Sequence, residues 1–139
     1  MPDYTPYPVE LVTPEGFAFQ GDAQMLVAPG ADGLLGVLAN HAPLVSLLTP
    51  GEVRITDEGG ELHRFAVDEG FLQVRQNLAR VLVGEAVAAD RINSAEANRR
   101  LEAARAALEH AESGAEDADE YAARREVGFA EALVKTAGG

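Results

Sequence analysis

Three glycines at intervals of three, Gly30, Gly33 and Gly36, lie in the segment from Pro29 to Gly51. Glycine-rich loops can hold phosphate groups, because a backbone without side chains approaches an anion closely. Here the glycines are followed by neither a Gly-Lys-Ser/Thr sequence nor an amphipathic helix, which P-loop and dinucleotide-binding sites require. We therefore interpret the segment as tight turns around a short strand.

Histidine is the other residue type here that supplies general bases and metal ligands. His41 lies in the glycine-rich segment, His63 on the predicted surface of a strand, and His110 in a helical stretch. Neither His-x-His nor His-Glu-x-x-His spacing is present, so the pattern does not support a metal site. A catalytic base at His41 would need a nucleophile or carboxylate that the sequence does not place beside it. We expect no catalytic residue, no metal and no cofactor.

The composition excludes several further classes of protein. The chain has 139 residues, is 47% hydrophobic and contains no cysteine, which is typical of a globular protein without disulfides or thiol chemistry. No apolar run approaches the roughly 18 residues that span a bilayer, and no signal peptide opens the chain, so we expect a soluble cytoplasmic protein. A net charge of −12 argues against binding to nucleic acid or insertion into a membrane. It is compatible with basic protein partners, or simply with solubility.

Short apolar runs separated by turn signals occupy residues 9–84. Alternation is clear in residues 52–56, and the Asp57-Glu58-Gly59-Gly60 break that follows is typical of a hairpin. Strands of about six residues at roughly 8–12-residue spacing predict a β-sandwich or flattened barrel. We interpret residues 1–8 as an extended lead-in and Gly21-Asp22 as a turn between two strands.

The periodicity becomes helical near residue 90, and glycine and proline are absent from residues 86–113. Asn93 with Glu96 three residues later fits a capping box, and Ser113-Gly114 is a helix stop signal. Apolar residues recur at steps of four and three, as expected for a helix with one buried face. They are Ala97, Leu101, Ala104, Leu108 and Ala111.

A second helix is predicted to begin with the same capping spacing, Asp117 followed by Glu120. Its apolar stripe is Ala123, Val127, Ala130 and Val134. Two helices joined by about five residues fold back as an antiparallel hairpin. Because alanine-rich stripes bury little area and Gly128 costs a helix about 1 kcal/mol relative to alanine, the hairpin should be displaceable.

The predicted fold is an all-β N-terminal β-sandwich followed by a C-terminal antiparallel two-helix hairpin, α+β overall. We place the sandwich domain at residues 1–89 and the helical hairpin at residues 90–139. Pattern alone leaves two functions open. One is a small β-sandwich enzyme that uses His41 with acidic residues, and the other is an acidic adaptor that dimerises through its hairpin.

Four motifs occur in a fixed order along nearly the whole chain. They are Pro29-Gly30-x-x-Gly33-x-x-Gly36-Val37-Leu38-x-x-His41-Ala42-Pro43-Leu44, then Pro50-Gly51, then Gly70-Phe71-Leu72-Gln73-Val74, and then Val81-Leu82-Val83. In a β domain that ends in a two-helix hairpin, these motifs resemble the epsilon-subunit family of bacterial F-type, or rotary, ATP synthases.

The resemblance implies a non-catalytic subunit of the central stalk, or rotor. It implies that the sandwich couples the gamma subunit to the c-ring in proton-driven ATP synthesis, which is a form of hydrogen-ion transport. The hairpin would then inhibit ATP hydrolysis when it extends toward the catalytic beta subunit. The chain would lie peripherally on the cytoplasmic face of the cell inner membrane, as part of the synthase complex. Whether the hairpin rests compact or extended stays open.

The same resemblance implies where partners bind. It points to Asp32, Leu34 and His41 for the interface with the c-ring and gamma subunit. Family members often carry glutamate at the position of Leu34 and proline at the position of Ala39, so an ion pair from Leu34 to the ring is lost. Basic residues of the second helix would make the inhibitory contacts, and they are Arg124, Arg125 and Lys135.

Some members of the family bind ATP through a motif Ile/Leu-Asp-x-x-Arg-Ala. The matching residues here are Ile92, Asn93 and Glu96, followed by Ala97. A carboxylate at Glu96, where the motif has arginine, repels phosphate instead of pairing with it. We therefore expect no useful ATP binding.

Overall fold

The computed structural model describes residues 4–114 and 118–138. Over these residues, nine strands are followed by two long helices, which confirms the predicted sandwich and helices. A 3₁₀ turn at Ala89–Arg91 links the two parts. The elements are β1 Tyr7–Thr13, β2 Gly16–Gly30, β3 Gly33–Val37, β4 Leu44–Leu48, β5 Gly51–Asp57, β6 Leu62–Val67, β7 Gly70–Arg75, β8 Leu78–Val83, β9 Ala86–Ala88, α1 Ser94–Glu112 and α2 Glu120–Gly138.

The strands follow the order β1-β8-β7-β4-β2-β5-β6-β9, with β3 on the side of β2. β1 pairs with β8 in parallel and also with β2 in antiparallel fashion, so the sheet folds over on itself. Inward-facing side chains from the strands form one core between the layers, because successive residues of a strand point to opposite faces. This core includes Val9, Leu11, Leu26, Val53, Ile55, Phe65, Leu72, Val74 and Val81.

Tyr7 corrects the predicted lead-in, because β1 begins at this residue and not after residue 8. Its ring is 2% exposed, and its hydroxyl donates a hydrogen bond of 2.6 Å to the carbonyl oxygen of Val37. Burial raises the pKa of the Tyr7 phenol well above its ordinary value. The aromatic side chain therefore anchors the start of the sandwich.

The long strand β2 corrects the predicted turn at Gly21-Asp22, which lies inside it. Residues 16–23 pair with β1, while residues 23–30 pair with β5 and β3. A register shift occurs in the pairing with β1, between Leu11 and Val12, and in the pairing with β5, between Ala23 and Met25. Irregularities of this kind bend a strand without ending it, so one strand serves both layers. The three-residue strand β9 was not predicted and pairs with β6.

Local signals at the helix ends confirm most of the predicted boundaries. The side chain of Asn93 accepts a hydrogen bond of 3.0 Å from the backbone N–H of Glu96, and α1 ends before Ser113. The predicted cap residue Asp117 lies outside the described residues. At the start of α2, the side chain of Asp119 accepts a hydrogen bond of 3.0 Å from the N–H of Ala122.

α2 lies between α1 and the sheet. One of its faces packs on α1, through Ala130 against Leu101 and Ala104. The other face packs on the outer side of β5 and β6, through Phe129 and Leu133 against Ala66. Neither helix combines the length and the apolar character needed to cross a bilayer, over the residues that the structure describes.

Gly128 in the middle of α2 is explained by this packing. A Cβ atom at this position would lie 3.2 Å from the Pro50 side chain, so the missing side chain lets the helix approach the β4–β5 turn. The local helix penalty of glycine, about 1 kcal/mol, is thus offset by a close contact.

Gly70 provides a test of the sheet packing. A Cβ atom there would lie 1.9 Å from the backbone oxygen of Leu82 on the neighbouring strand, so the strands must separate. We expect Gly70→Ala to lower the free energy of unfolding by about 1–3 kcal/mol in urea denaturation. Gly36→Ala is the control, since nothing lies within 4 Å of its Cβ position. Equal stability of the two variants would contradict the strand spacing.

Candidate partner-binding surfaces

The β2–β3 hairpin tip carries Asp32 and Leu34. Gly33 adopts a φ of 128°, which favours glycine, and a Cβ on Gly30 would lie 2.6 Å from the Gly33 oxygen. The N–H of Ala31 donates to the carbonyl of Leu47 at 3.1 Å, which ties the tip to β4. Leu34 is 76% exposed. The glycines therefore build a tight tip that presents an acidic and an apolar side chain.

His41 lies in the loop after β3, which a second turn supports. Asn40 has a φ of 62°, and its N–H donates to the side-chain oxygen of Asn77 at 2.7 Å. The Nδ1 of His41 lies 2.7 Å from the carbonyl oxygen of Ala42. Because a carbonyl only accepts, Nδ1 carries the proton of this hydrogen bond, and the ring is exposed.

The structure brings Asp32 and Leu34 together but does not bring His41 to them. Strand β3, from Gly33 to Val37, runs between the two turns, and a five-residue strand spans about 17 Å. The three predicted interface residues therefore belong to opposite ends of the sandwich.

An exposed apolar face on β4, β7 and β8 was not identified from the sequence. Val45 is 70% exposed, and Leu47, Phe71 and Leu82 are 59%, 49% and 38% exposed. Leu47 pairs with Phe71, and Phe71 pairs with Leu82, so these side chains form one row across three strands. Beside them lies a cavity of about 430 Å³ that includes Val12 and Pro14. The sequence does contain a signal for this face, because apolar residues occupy both alternating sets of positions in these strands.

The hairpin contacts the sandwich through an apolar centre with polar contacts on either side. Phe129 is 1% exposed, and the Arg100 guanidinium lies 4.9 Å from the centre of its ring. Arg100 also pairs with Glu126 at 2.5 Å and with Glu85 at 3.7 Å. The Glu126 carboxylate raises the pKa of Arg100 above its ordinary value.

Tyr121 and Arg125 hold the first turns of α2 to the β6–β7 turn. The Tyr121 hydroxyl donates to Glu69 at 2.6 Å, and Arg125 lies 3.5 Å from Glu69 and 3.9 Å from Asp68. The hydrogen bond to Glu69 raises the pKa of Tyr121, because deprotonation would place two negative charges side by side. These contacts are exposed, so each stabilises the docked helix only weakly.

Arg64 holds the other end of α2. Its Nη2 donates to the backbone oxygen of Thr136 at 3.1 Å and to Glu52 at 2.6 Å. Among the described residues, the buried Nε of Arg64 and Oγ1 of Thr136 have no hydrogen-bond partner. Two buried polar atoms at this contact therefore lack hydrogen bonds to the described part of the chain, which limits how tightly Arg64 holds the helix.

The predicted inhibitory residues are in different environments. Arg124 pairs with Glu112 at 3.0 Å and with Glu120 at 2.6 Å, both within the hairpin. Arg125 is engaged by the sandwich, as described above. Lys135 is exposed and forms no ion pair with the part of the chain that the structure describes.

The degenerate ATP motif lies where the sandwich meets the hairpin. Ile92 packs on the cluster around Phe129, and Asn93 caps α1. A cavity of about 340 Å³ is lined by Asn93, Glu96 and Arg100, among others. The arginine is already paired with two glutamates, and Glu96 adds a negative charge to the cavity wall.

Comparisons with known proteins match most of the chain to one family. The family model described as the β-sandwich domain of the ATP synthase delta/epsilon chain matches residues 7–89. An ATP synthase epsilon chain of Persephonella marina is 38% identical over 133 residues, which cover 95% of this chain and 96% of the relative. That of Rubrobacter xylanophilus is 41% identical over 117 residues, which cover 84% of this chain and 79% of the relative.

Solved structures share the fold. A chain in the Euglena gracilis mitochondrial ATP synthase, in an OSCP/F1/c-ring assembly, aligns with a TM-score of 0.75 at 24% identity, over 90% of this chain and 77% of that one. A chain in the central stalk and c-ring of the Tetrahymena thermophila mitochondrial ATP synthase aligns with a TM-score of 0.61 at 16% identity, over 94% and 95%. The family model and the bacterial relatives show that the chain belongs to the ATP synthase epsilon chain family.

Proposed function

We propose that this chain is a non-catalytic rotor subunit in the central stalk of an F-type ATP synthase, where it couples the gamma subunit to the c-ring in proton-driven ATP synthesis. The observation that carries the proposal is the exposed apolar row of Leu47, Phe71 and Leu82, on strands other than those that α2 contacts. A contiguous exposed apolar face is typical of a protein interface. As part of the complex, the chain would lie peripherally on the cytoplasmic face of the inner membrane.

The two ends of the sandwich are assigned to different contacts. The gamma subunit packs on the apolar face and reaches His41 beyond it. The c-ring is met by the β2–β3 tip, where Asp32 complements the basic residue that the family's ring loops carry. The separation of Asp32 and His41 along β3 supports this division, since one small polar loop cannot contact both.

Substitution of Phe71 tests the apolar face. We expect Phe71→Glu to reduce co-purification of the tagged chain with the membrane ATP synthase complex at least tenfold, since an unpaired charge is costly in an apolar interface. Leu62→Glu is the matched control, because Leu62 is 43% exposed and lies on β6, which is not one of the strands of this face. Equal loss for both variants, or no loss for Phe71→Glu, would count against the interface.

We assign residues 1–89 to a sandwich domain that stays docked and residues 90–139 to a helical hairpin that moves. Released from the sandwich, the hairpin extends along gamma toward the beta subunit and restrains ATP hydrolysis modestly through Arg124, Arg125 and Lys135. The weak contact between hairpin and sandwich supports this, because a conformational switch needs two packings whose free energies differ by only a few kcal/mol.

Charge reversal at Glu69 tests the release. In Glu69→Lys, Tyr121 loses its acceptor and Arg125 faces a like charge, so the docked hairpin loses up to about 1 kcal/mol. We expect up to about fivefold stronger inhibition of ATP hydrolysis by the complex, and removal of residues after Gly114 should abolish this gain. Glu15→Lys makes the same charge change at an exposed turn and should have no effect. Unchanged ATPase activity after truncation would leave the hairpin a structural role only.

The ATP prediction is tested by calorimetry on the purified full chain. We expect no micromolar affinity for ATP, because Glu96 adds a carboxylate to the cavity wall and Arg100 is already ion-paired, which leaves Arg91 as the remaining cationic group of the lining. Combined Asn93→Asp and Glu96→Arg restores the motif and should tighten binding at least tenfold. Glu102→Gln makes the same net charge change as the double substitution on an exposed position of α1 and should not tighten binding. Micromolar binding to the unaltered chain would overturn the prediction.

A further inference from the structure

Asp57 and His63 interrupt the apolar inner face of the sandwich at one end. The inward-facing residues of β5 are Val53, Ile55 and then Asp57, while β6 places His63 two residues before Phe65. Ile55 and His63 are direct partners across the two strands. Two titratable side chains therefore occupy core-facing positions, for which the strand alternation predicts apolar residues. They lie at the end of the sandwich where the core opens to solvent.

Glu61 in the β5–β6 turn completes a compact group with these two residues. The Nε2 atom of His63 lies 2.9 Å from Asp57 Oδ2 and 4.0 Å from Glu61 Oε2. One ligand atom from each residue lies within 4.8 Å of the others. Ligands bound to zinc at 2.0–2.1 Å sit about 3.3 Å apart in a tetrahedron, so small side-chain rotations would close this group on an ion.

The surrounding contacts hold the group in this arrangement. Asp57 Oδ1 accepts hydrogen bonds of 2.9 Å from the N–H groups of Gly59 and Glu61, which turns Oδ2 toward the imidazole. Phe19 packs edge-on against the His63 ring, with centroids 5.2 Å apart. An adjoining cavity of about 290 Å³ is lined by Glu61, His63 and Asp90, among others. Water or a further carboxylate therefore has room to complete the coordination.

We propose that Asp57, Glu61 and His63 bind a divalent cation of the zinc class through two carboxylate oxygens and one imidazole nitrogen. The imidazole nitrogen selects this class, because magnesium and calcium prefer all-oxygen sites. The net charge of −12 favours cation binding. The bound ion would fix the β5–β6 turn, and the site is independent of the proposed rotor function.

Zinc titration of the purified full chain by calorimetry tests the site. We expect one equivalent of zinc to bind, with at least tenfold weaker binding for Glu61→Gln and loss of this site in His63→Ala. His110→Ala is the matched control, since His110 is exposed on α1, and it should bind zinc as the unaltered chain does. Magnesium should give no saturable heat under the same conditions.

Glu61 is exposed, so Glu61→Gln tests the site without a risk to folding, and circular dichroism verifies the fold of His63→Ala. If Asp57 and His63 form only an ion pair, zinc binds no tighter than about 100 μM and the proposal fails. Equal weakening by His63→Ala and His110→Ala would also overturn it, because the zinc would then be held elsewhere.

Discussion

The two-residue alternation of the strands is the constraint on which the rest of this structure depends. Once one set of side chains forms the inner core, every outward-facing set must meet solvent, a helix or a partner. On β5 and β6 the outward set includes Ala66, which α2 covers with Phe129 and Leu133. On β4, β7 and β8 the outward apolar set stays exposed. One sandwich thereby has one outer surface that its own hairpin covers and another that stays open.

The hairpin surface combines opposing features. Phe129 and Gly128 allow a close apolar approach at the centre, which favours docking. Alanine supplies much of the remaining contact and buries little area, while the ion pairs on either side lie in high dielectric. The buried Nε of Arg64 lacks a partner among the described residues, which weakens the contact further. These features support the proposed release of the hairpin, because they limit the free energy that separation from the sandwich would cost.

Local signals predicted the parts of the structure that are decided locally. The cap at Asn93 and the helix end before Ser113 depend on residues three or four apart, which the sequence displays directly. The prediction of a turn at Gly21-Asp22 was wrong, because strand pairing along β2 outweighed the turn preference of these residues. Alternation also identifies two faces of β7 without saying what covers each, and the contact between Arg64 and Thr136 joins residues 72 apart. Such features depend on tertiary packing.

Arg125 links the hairpin to the sandwich in the docked position. In the docked hairpin its guanidinium lies beside Asp68 and Glu69 of the sandwich. An acidic partner that binds the same side chain must compete with these carboxylates, so each stabilises its own position of the hairpin at the expense of the other. Arg124 differs, since its partners Glu112 and Glu120 belong to the hairpin and would travel with it. Of these two arginines, Arg125 is therefore the one whose contacts would bias the proposed movement of the hairpin, because a contact common to both positions shifts nothing.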